Sequence, residues 1–140
     1  DLEKFTRLID ELQLNNNCLL HHTVSNIAEK YCMSSIFVLS SRYEGLPLVL
    51  GEAMAYGIAP VAFACPCGPR DMITNGKNGL LVENGNIEQL AKQICYLIEN
   101  ENIRIEMGRQ AKIRAKDFTM EVISRQWKSL FEELMEYAPQ

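Results

Sequence analysis

Glu44 and Glu52, with seven residues between them, flank the start of a segment that reads as strand, turn and helix. Ile36 to Leu39 is an unbroken apolar run bounded by serines, the pattern of a strand buried on both faces in a parallel sheet. Pro47 suits the first position of the following helix and Gly57 its end, giving about 11 residues or roughly 16 Å. The backbone N–H groups of Leu48, Val49 and Leu50 would then lack intrahelical acceptors and face an anion beyond the strand's carboxyl end. Two carboxylates beside an anion site repel the anion itself, but they accept strong hydrogen bonds from hydroxyls. A ligand with hydroxyls at both ends and a negative middle, such as a nucleotide diphosphate sugar, satisfies all three demands. The plain alternative is that both acids are simply solvated, as most acidic side chains are.

The segment from Ser41 to Gly57, Ser-Arg-Tyr-Glu-Gly-Leu-Pro-Leu-Val-Leu-Gly-Glu-Ala-Met-Ala-Tyr-Gly, resembles the signature of the family 4 (group 1) glycosyltransferases. The resemblance continues through Ile58 to Val61, Gly68 to Ile73, Asn75 to Val82 and the Met107-Gly108 pair, covering about residues 18 to 120. It implies a retaining enzyme of the GT-B fold, with this chain as its C-terminal, donor-binding lobe. It also implies that Glu44 contacts the donor sugar, and is the catalytic candidate, and that Glu52 contacts the ribose; Gly45, Leu46, Pro47, Leu48 and Val49, between them, are further candidates for binding the substrate. No cofactor is implied. The nucleotide sugar, expected as a UDP-sugar, is the substrate, and a hexosyl group would pass to a glycan or lipid-linked acceptor held by an N-terminal domain outside this chain. The family's basic phosphate contacts fall upstream of Asp1, so residues 1–140 alone, read as a single domain lacking its first strands, are expected to be inactive. Expected location is cytoplasmic, with peripheral attachment of the full-length protein to the inner membrane face left open. An epimerase on the same fold and a noncatalytic nucleotide-binding or scaffold module are the rival readings.

Composition sets the outer bounds. The chain's 140 residues, 47% hydrophobic and 23% charged, describe an ordinary globular domain able to bury a core. A net charge of −4 offers no footprint for nucleic acid. No apolar run approaches the roughly 18 residues that span a bilayer, and no secretory leader is recognisable. The five cysteines are scattered, with only Cys65 and Cys67 close together, which argues for free thiols in a reducing compartment rather than a disulfide framework or a zinc set.

The supporting elements follow in order. Leu2, Phe5, Leu8, Ile9 and Leu12 predict an amphipathic helix over 2–13. Cys18-Leu19-Leu20 predicts a short strand, and Ile27, Ala28 and Tyr31 a helix. In the turn between them, His22 and Val24 are candidates for holding the nucleotide base, against a plain loop; the family usually has Gly at His22. Pro60 to Phe63 and Leu80 to Val82 read as further buried strands. Between them, Pro66-Cys67-Gly68-Pro69 opens a short helix to about Thr74. Arg70, near its start, either reaches a phosphate or pairs with Asp71 or another neighbour on the surface. Asn86 is a good N-cap for a helix whose stripe of Ile87, Leu90, Ala91, Ile94, Cys95 and Ile98 reads as core. A helix over 102–116 and a last one capped by Thr119 and carrying Val122, Trp127, Leu130, Phe131 and Leu134 complete an α/β, doubly wound (Rossmann-like) parallel fold.

Overall fold

The computed structural model describes residues 2–136, and the chain divides into two compact units, residues 1–30 and residues 31–140. In the first, α1 (Leu2–Glu11) is followed by tight turns in which Leu14 N–H donates to Ile9 O and Cys18 N–H to Leu14 O. The apolar stripe of α1 is present but no residue of it is buried. Residues 18–20 are not a strand, and Leu19 is 80% exposed. A strand is made by its partner, and among the described residues nothing pairs with this triplet, so its apolar character alone builds no ladder. Helix α2 (Ile27–Cys32) follows as expected and straddles the boundary between the units.

The second unit holds a three-stranded parallel sheet in the order β1 (Ile36–Leu39), β2 (Ala59–Phe63), β3 (Leu80–Val82). Ile36 pairs with Ala59 and Val61 with Leu80, so β2 is central and every one of its residues is buried. Alternation along the strands divides the core in two. Ala59, Val61, Phe63, Leu80 and Val82 face Leu90, Leu97 and Met107, while Leu39 and Ala62 face Leu50, Met54, Met72 and Ala111. The unalternating apolar run of β2 is what a strand covered on both faces requires, whereas β1, expected to be buried in the same way, is an edge strand with Val38 exposed and Ile36 and Phe37 only partly buried. Pro60 is tolerated in the central strand because pairing with β3 begins one residue later, at Val61.

The covering helices are α3 (Leu48–Ala55), α4 (Pro69–Met72), α5 (Ile87–Glu99) and α6 (Glu101–Ala115), followed by a 3₁₀ turn (Lys116–Phe118) and α7 (Met120–Glu136). Gly57, at φ 78°, ends α3: its N–H donates to Met54 O and that of Ile58 to Ala53 O, the paired bonds of a Schellman turn. Pro47 is the N-cap rather than the first helical residue, and α3 is eight residues long, shorter than its proline and glycine suggest.

Asn86 caps α5 as expected, its Oδ1 accepting from Gln89 N–H at 2.9 Å. The expected core stripe of α5 needs correction. Leu90 and Leu97 are buried with Ile94 partly so, whereas Ile87 and Ile98 are exposed, as are Ala91 and Cys95. The apolar band is wider than one seam, and only the 90, 94, 97 seam meets the sheet and Met107. Thr119 precedes α7, but its hydroxyl donates to Lys116 O instead of accepting from the helix. Helix α7 buries none of its residues; Trp127 and Phe131 stack on each other at 5.6 Å and remain exposed. Among the described residues no helix is long and apolar enough to cross a membrane.

Candidate functional site

Loops following all three strands are tied together at the carboxyl edge of the sheet, where ligands of open α/β sheets bind. Asn84, after β3, donates from Nδ2 to Arg42 O, after β1, at 2.8 Å. Gly68, after β2, lies directly against the β1 loop: a Cβ there would collide with Gly45 O and come within 2.6 Å of Pro47 Cδ. Gly68 also adopts φ 77°, a region glycine enters without strain, and its N–H donates to the Asp71 carboxylate at 3.0 Å. Only glycine therefore lets the two loops meet. By contrast nothing lies within 4 Å of a Cβ built on Gly45, so that face of the turn is open to a ligand.

At the start of α3 the amides of Leu48 and Val49 have no acceptor among the described residues. Leu50 N–H, expected to be free as well, instead donates to Pro47 O at 3.0 Å. Two open amides and the positive end of the helix dipole remain for an anion. Leu50, Ala53 and Met54 form the buried face of α3, and the outward face carries Leu48, Gly51, Glu52 and Ala55. That outward face, with Leu46, Pro47 and Phe118, lines an open groove of about 330 Å³.

The two carboxylates are held differently. Glu44 is half-buried and makes no hydrogen bond among the described residues, so its oxygens are unclaimed. Burial pushes the Cys65 thiol up; the Glu44 carboxylate adds to that shift and Arg70 opposes it, so both charges act at the end of β2. Glu52 is exposed, yet its Oε2 accepts from the Tyr31 hydroxyl at 2.9 Å. Arg70 does not pair with Asp71: its Nε donates to Ala64 O at 3.0 Å, which leaves its terminal nitrogens without a protein acceptor among the described residues. Glu44, Gly45 to Val49, Glu52 and Arg70 all belong to the second unit; Glu44 to Val49 and Arg70 follow the carboxyl ends of β1 and β2, while Glu52 lies further along α3, beside Tyr31. His22 and Val24 belong to the first unit, where both are exposed.

Tyr31 carries the largest consequence of this packing. Its phenol is pushed up to about 12, by burial first and then by the hydrogen bond to Glu52 and that group's charge. The folded state holds the proton more tightly than the unfolded chain, whose tyrosine titrates near its ordinary value of 10.0. The stability this contributes is complete below pH about 10 and is lost as the pH rises towards about 12. Denaturant unfolding should therefore show the wild type losing more stability than Tyr31→Phe across that window; equal losses would contradict it.

A three-stranded parallel sheet covered by helices, with two open helix amides at its carboxyl edge, makes an α/β lobe, and solved structures share this fold. A mutant of Staphylococcus aureus TarM in complex with fondaparinux, alpha-GlcNAc-glycerol and UDP superposes with a TM-score of 0.86 at 32% identity, over 92% of this chain and 26% of that one. Anabaena Alr3699/HepE in complex with UDP superposes at 0.87 with 22% identity, over 94% of this chain and 36% of that one, a likeness of fold. The fold is that of the C-terminal domain of a GT-B glycosyltransferase. An uncharacterized glycosyltransferase of Haemophilus influenzae is 33% identical over 128 residues, 91% of this chain. The glycosyl transferases group 1 family model matches residues 1–114, and the chain belongs to that family. It spans only 36% of the length of the Haemophilus relative.

Proposed function

We propose that this chain is the donor-binding lobe of a retaining, family 4 glycosyltransferase that moves a hexosyl group from a UDP-sugar to a glycan or lipid-linked acceptor. What supports this reading is that the amides of Leu48 and Val49 have no acceptor among the described residues, and that Leu48 stands four residues after Glu44 and four before Glu52. Glu52 takes the ribose hydroxyls, the helix start takes the diphosphate, and Glu44, with no protein partner among the described residues, takes the donor sugar. Arg70 has terminal nitrogens to spare for a phosphate oxygen. His22 and Val24 are the candidates for the base.

In this reading the chemistry is the departure of the diphosphate. Negative charge grows on its leaving oxygen as the glycosidic bond breaks, and donors already aimed at that oxygen stabilise the transition state without reorganising. Leu48 and Val49 N–H supply such donors, and no protein nucleophile is invoked. Retention is supported by the solved relative that holds UDP beside an alpha-GlcNAc glycoside, because UDP-sugars of this type are themselves alpha-linked. Acceptor binding belongs to the part of the full-length protein beyond this chain, which is proposed to work in the cytoplasm with or without peripheral attachment at the inner membrane face.

The experiment is transfer by the full-length protein from a panel of UDP-, GDP- and ADP-sugars to lipid-linked and free glycan acceptors, with the anomeric configuration of the product read by NMR. An alpha-linked product from a UDP-sugar is expected. An inverted product would remove the retaining assignment, and binding without turnover of any donor would favour the noncatalytic module.

A further inference from the structure

We propose that Tyr31 is a positioning residue of the donor site: its hydroxyl fixes the Glu52 carboxylate in the orientation that receives the ribose diol. The inference rests on the role given to Glu52 above.

Glu52 lies on the outward face of α3 and is exposed, a setting in which a glutamate samples several rotamers. Among the described residues no cation pairs with it, and its carboxylate receives one protein hydrogen bond, from Tyr31 at 2.9 Å. Tyr31 is itself immobilised. It is 7% exposed, with its ring 6.4 Å from Phe37 in an edge-on contact and 5.3 Å from Tyr56. It reaches Glu52 from another helix, so the carboxylate is held from outside α3 as well as through its own backbone. The hydroxyl's other neighbour, Val49 O, is 3.4 Å away, and its single proton goes to the nearer, charged acceptor. The phenol stays protonated throughout the neutral range, so the donor is always present.

What remains on the carboxylate matches a cis-diol. A carboxylate offers about four lone-pair sites over its two oxygens. One on Oε2 is taken by Tyr31, leaving Oε1 whole and a second site on Oε2. Two vicinal hydroxyls can then donate one bond to each oxygen, and the rotamer entropy that ligand binding would otherwise cost is already lost in the unliganded protein.

Tyr31→Phe isolates the hydroxyl, since it keeps the ring packed between Phe37 and Tyr56 and leaves Glu52 open to water. In the full-length protein, calorimetric titration with UDP is expected to show about fivefold weaker binding for Tyr31→Phe, with the KM for the sugar donor raised to a similar extent and kcat unchanged. The loss should disappear in a Glu52→Ala background and with 2′,3′-dideoxyuridine diphosphate as the ligand. Unchanged UDP affinity in Tyr31→Phe, where Glu52→Ala weakens it, would overturn the role of Tyr31 and leave the ribose assignment standing. No effect of Glu52→Ala would overturn the ribose assignment and this inference with it. A fivefold loss that persists in the Glu52→Ala background would show that Tyr31 acts through packing, and would overturn the inference alone. Cooperative thermal unfolding of each variant well above the assay temperature establishes that each comparison is made between folded proteins.

Discussion

Replacing Gly108 with alanine is expected to destabilise the unit of residues 31–140 by roughly 2–3 kcal/mol, the upper part of the roughly 1–3 kcal/mol that forcing a methyl group into a packed contact usually costs. Helix α6 meets the turn that ends α3 and the start of β2 at this residue. A Cβ on Gly108 would collide with Gly57 O and come within 3.1 Å of Gly57 C and 3.5 Å of Ala59 N. All three are backbone atoms, so no side chain can swing aside. Gly57 is held at φ 78° by the turn that ends α3, and Ala59 opens the central strand, so relief means moving a helix or the sheet. Alanine favours a helix over glycine by about 1 kcal/mol, which the estimate already includes and which does not reverse its sign. Thermal unfolding of Gly108→Ala should show a melting temperature lower by about 5–10 °C. An unchanged or raised value would mean that the two helices separate freely. Because α3 carries Glu52 and the open amides, weaker ligand binding should accompany the loss.

The second large effect is on turnover. Glu44→Ala in the full-length enzyme should lower kcat about 10²-fold, the scale of losing one group that acts on the reacting sugar. Glu44 makes no hydrogen bond to the protein among the described residues, so its removal leaves no protein donor unsatisfied and the melting temperature should hold. Glu52→Ala should act in the other sense. It weakens every ligand that carries the ribose, and leaves turnover at saturating donor much less affected.

How far the sequence carries these conclusions depends on the kind of feature. Features set by local chemistry were legible: the apolar runs of β1, β2 and β3, Gly57 as the end of α3, Asn86 as the cap of α5. Features that depend on a partner were not. Cys18, Leu19 and Leu20 have the composition of a strand and no neighbour to pair with among the described residues. Ile87 and Ile98 share helical periodicity with Leu90 and Leu97, but only the latter pair meets the sheet. Leu50 N–H finds Pro47 O because Pro47 is the cap, a one-residue shift that no periodicity resolves. The site divides in the same way. Glu44 and Glu52 stand out through their spacing and family resemblance, whereas the Tyr31 bond to Glu52 and the Asn84 bond to Arg42 join residues far apart in the chain. Tyr31 reads from sequence as one more apolar position of a short helix. The one signal that could have marked it is a phenol among apolar neighbours, because a buried hydroxyl needs an acceptor.

The most direct test of the proposed donor site is calorimetric titration of UDP and of the UDP-sugar into the full-length protein and its Glu44→Ala and Glu52→Ala variants. If Glu52 holds the ribose, Glu52→Ala weakens both ligands by roughly 1.5–3 kcal/mol, the range for a hydrogen bond to a charged group, which is about 10- to 100-fold in affinity. If Glu44 holds the sugar, Glu44→Ala leaves UDP untouched and weakens the UDP-sugar. Equal losses of both ligands in Glu44→Ala, or unchanged binding in Glu52→Ala, would contradict the assignment and return both carboxylates to solvent.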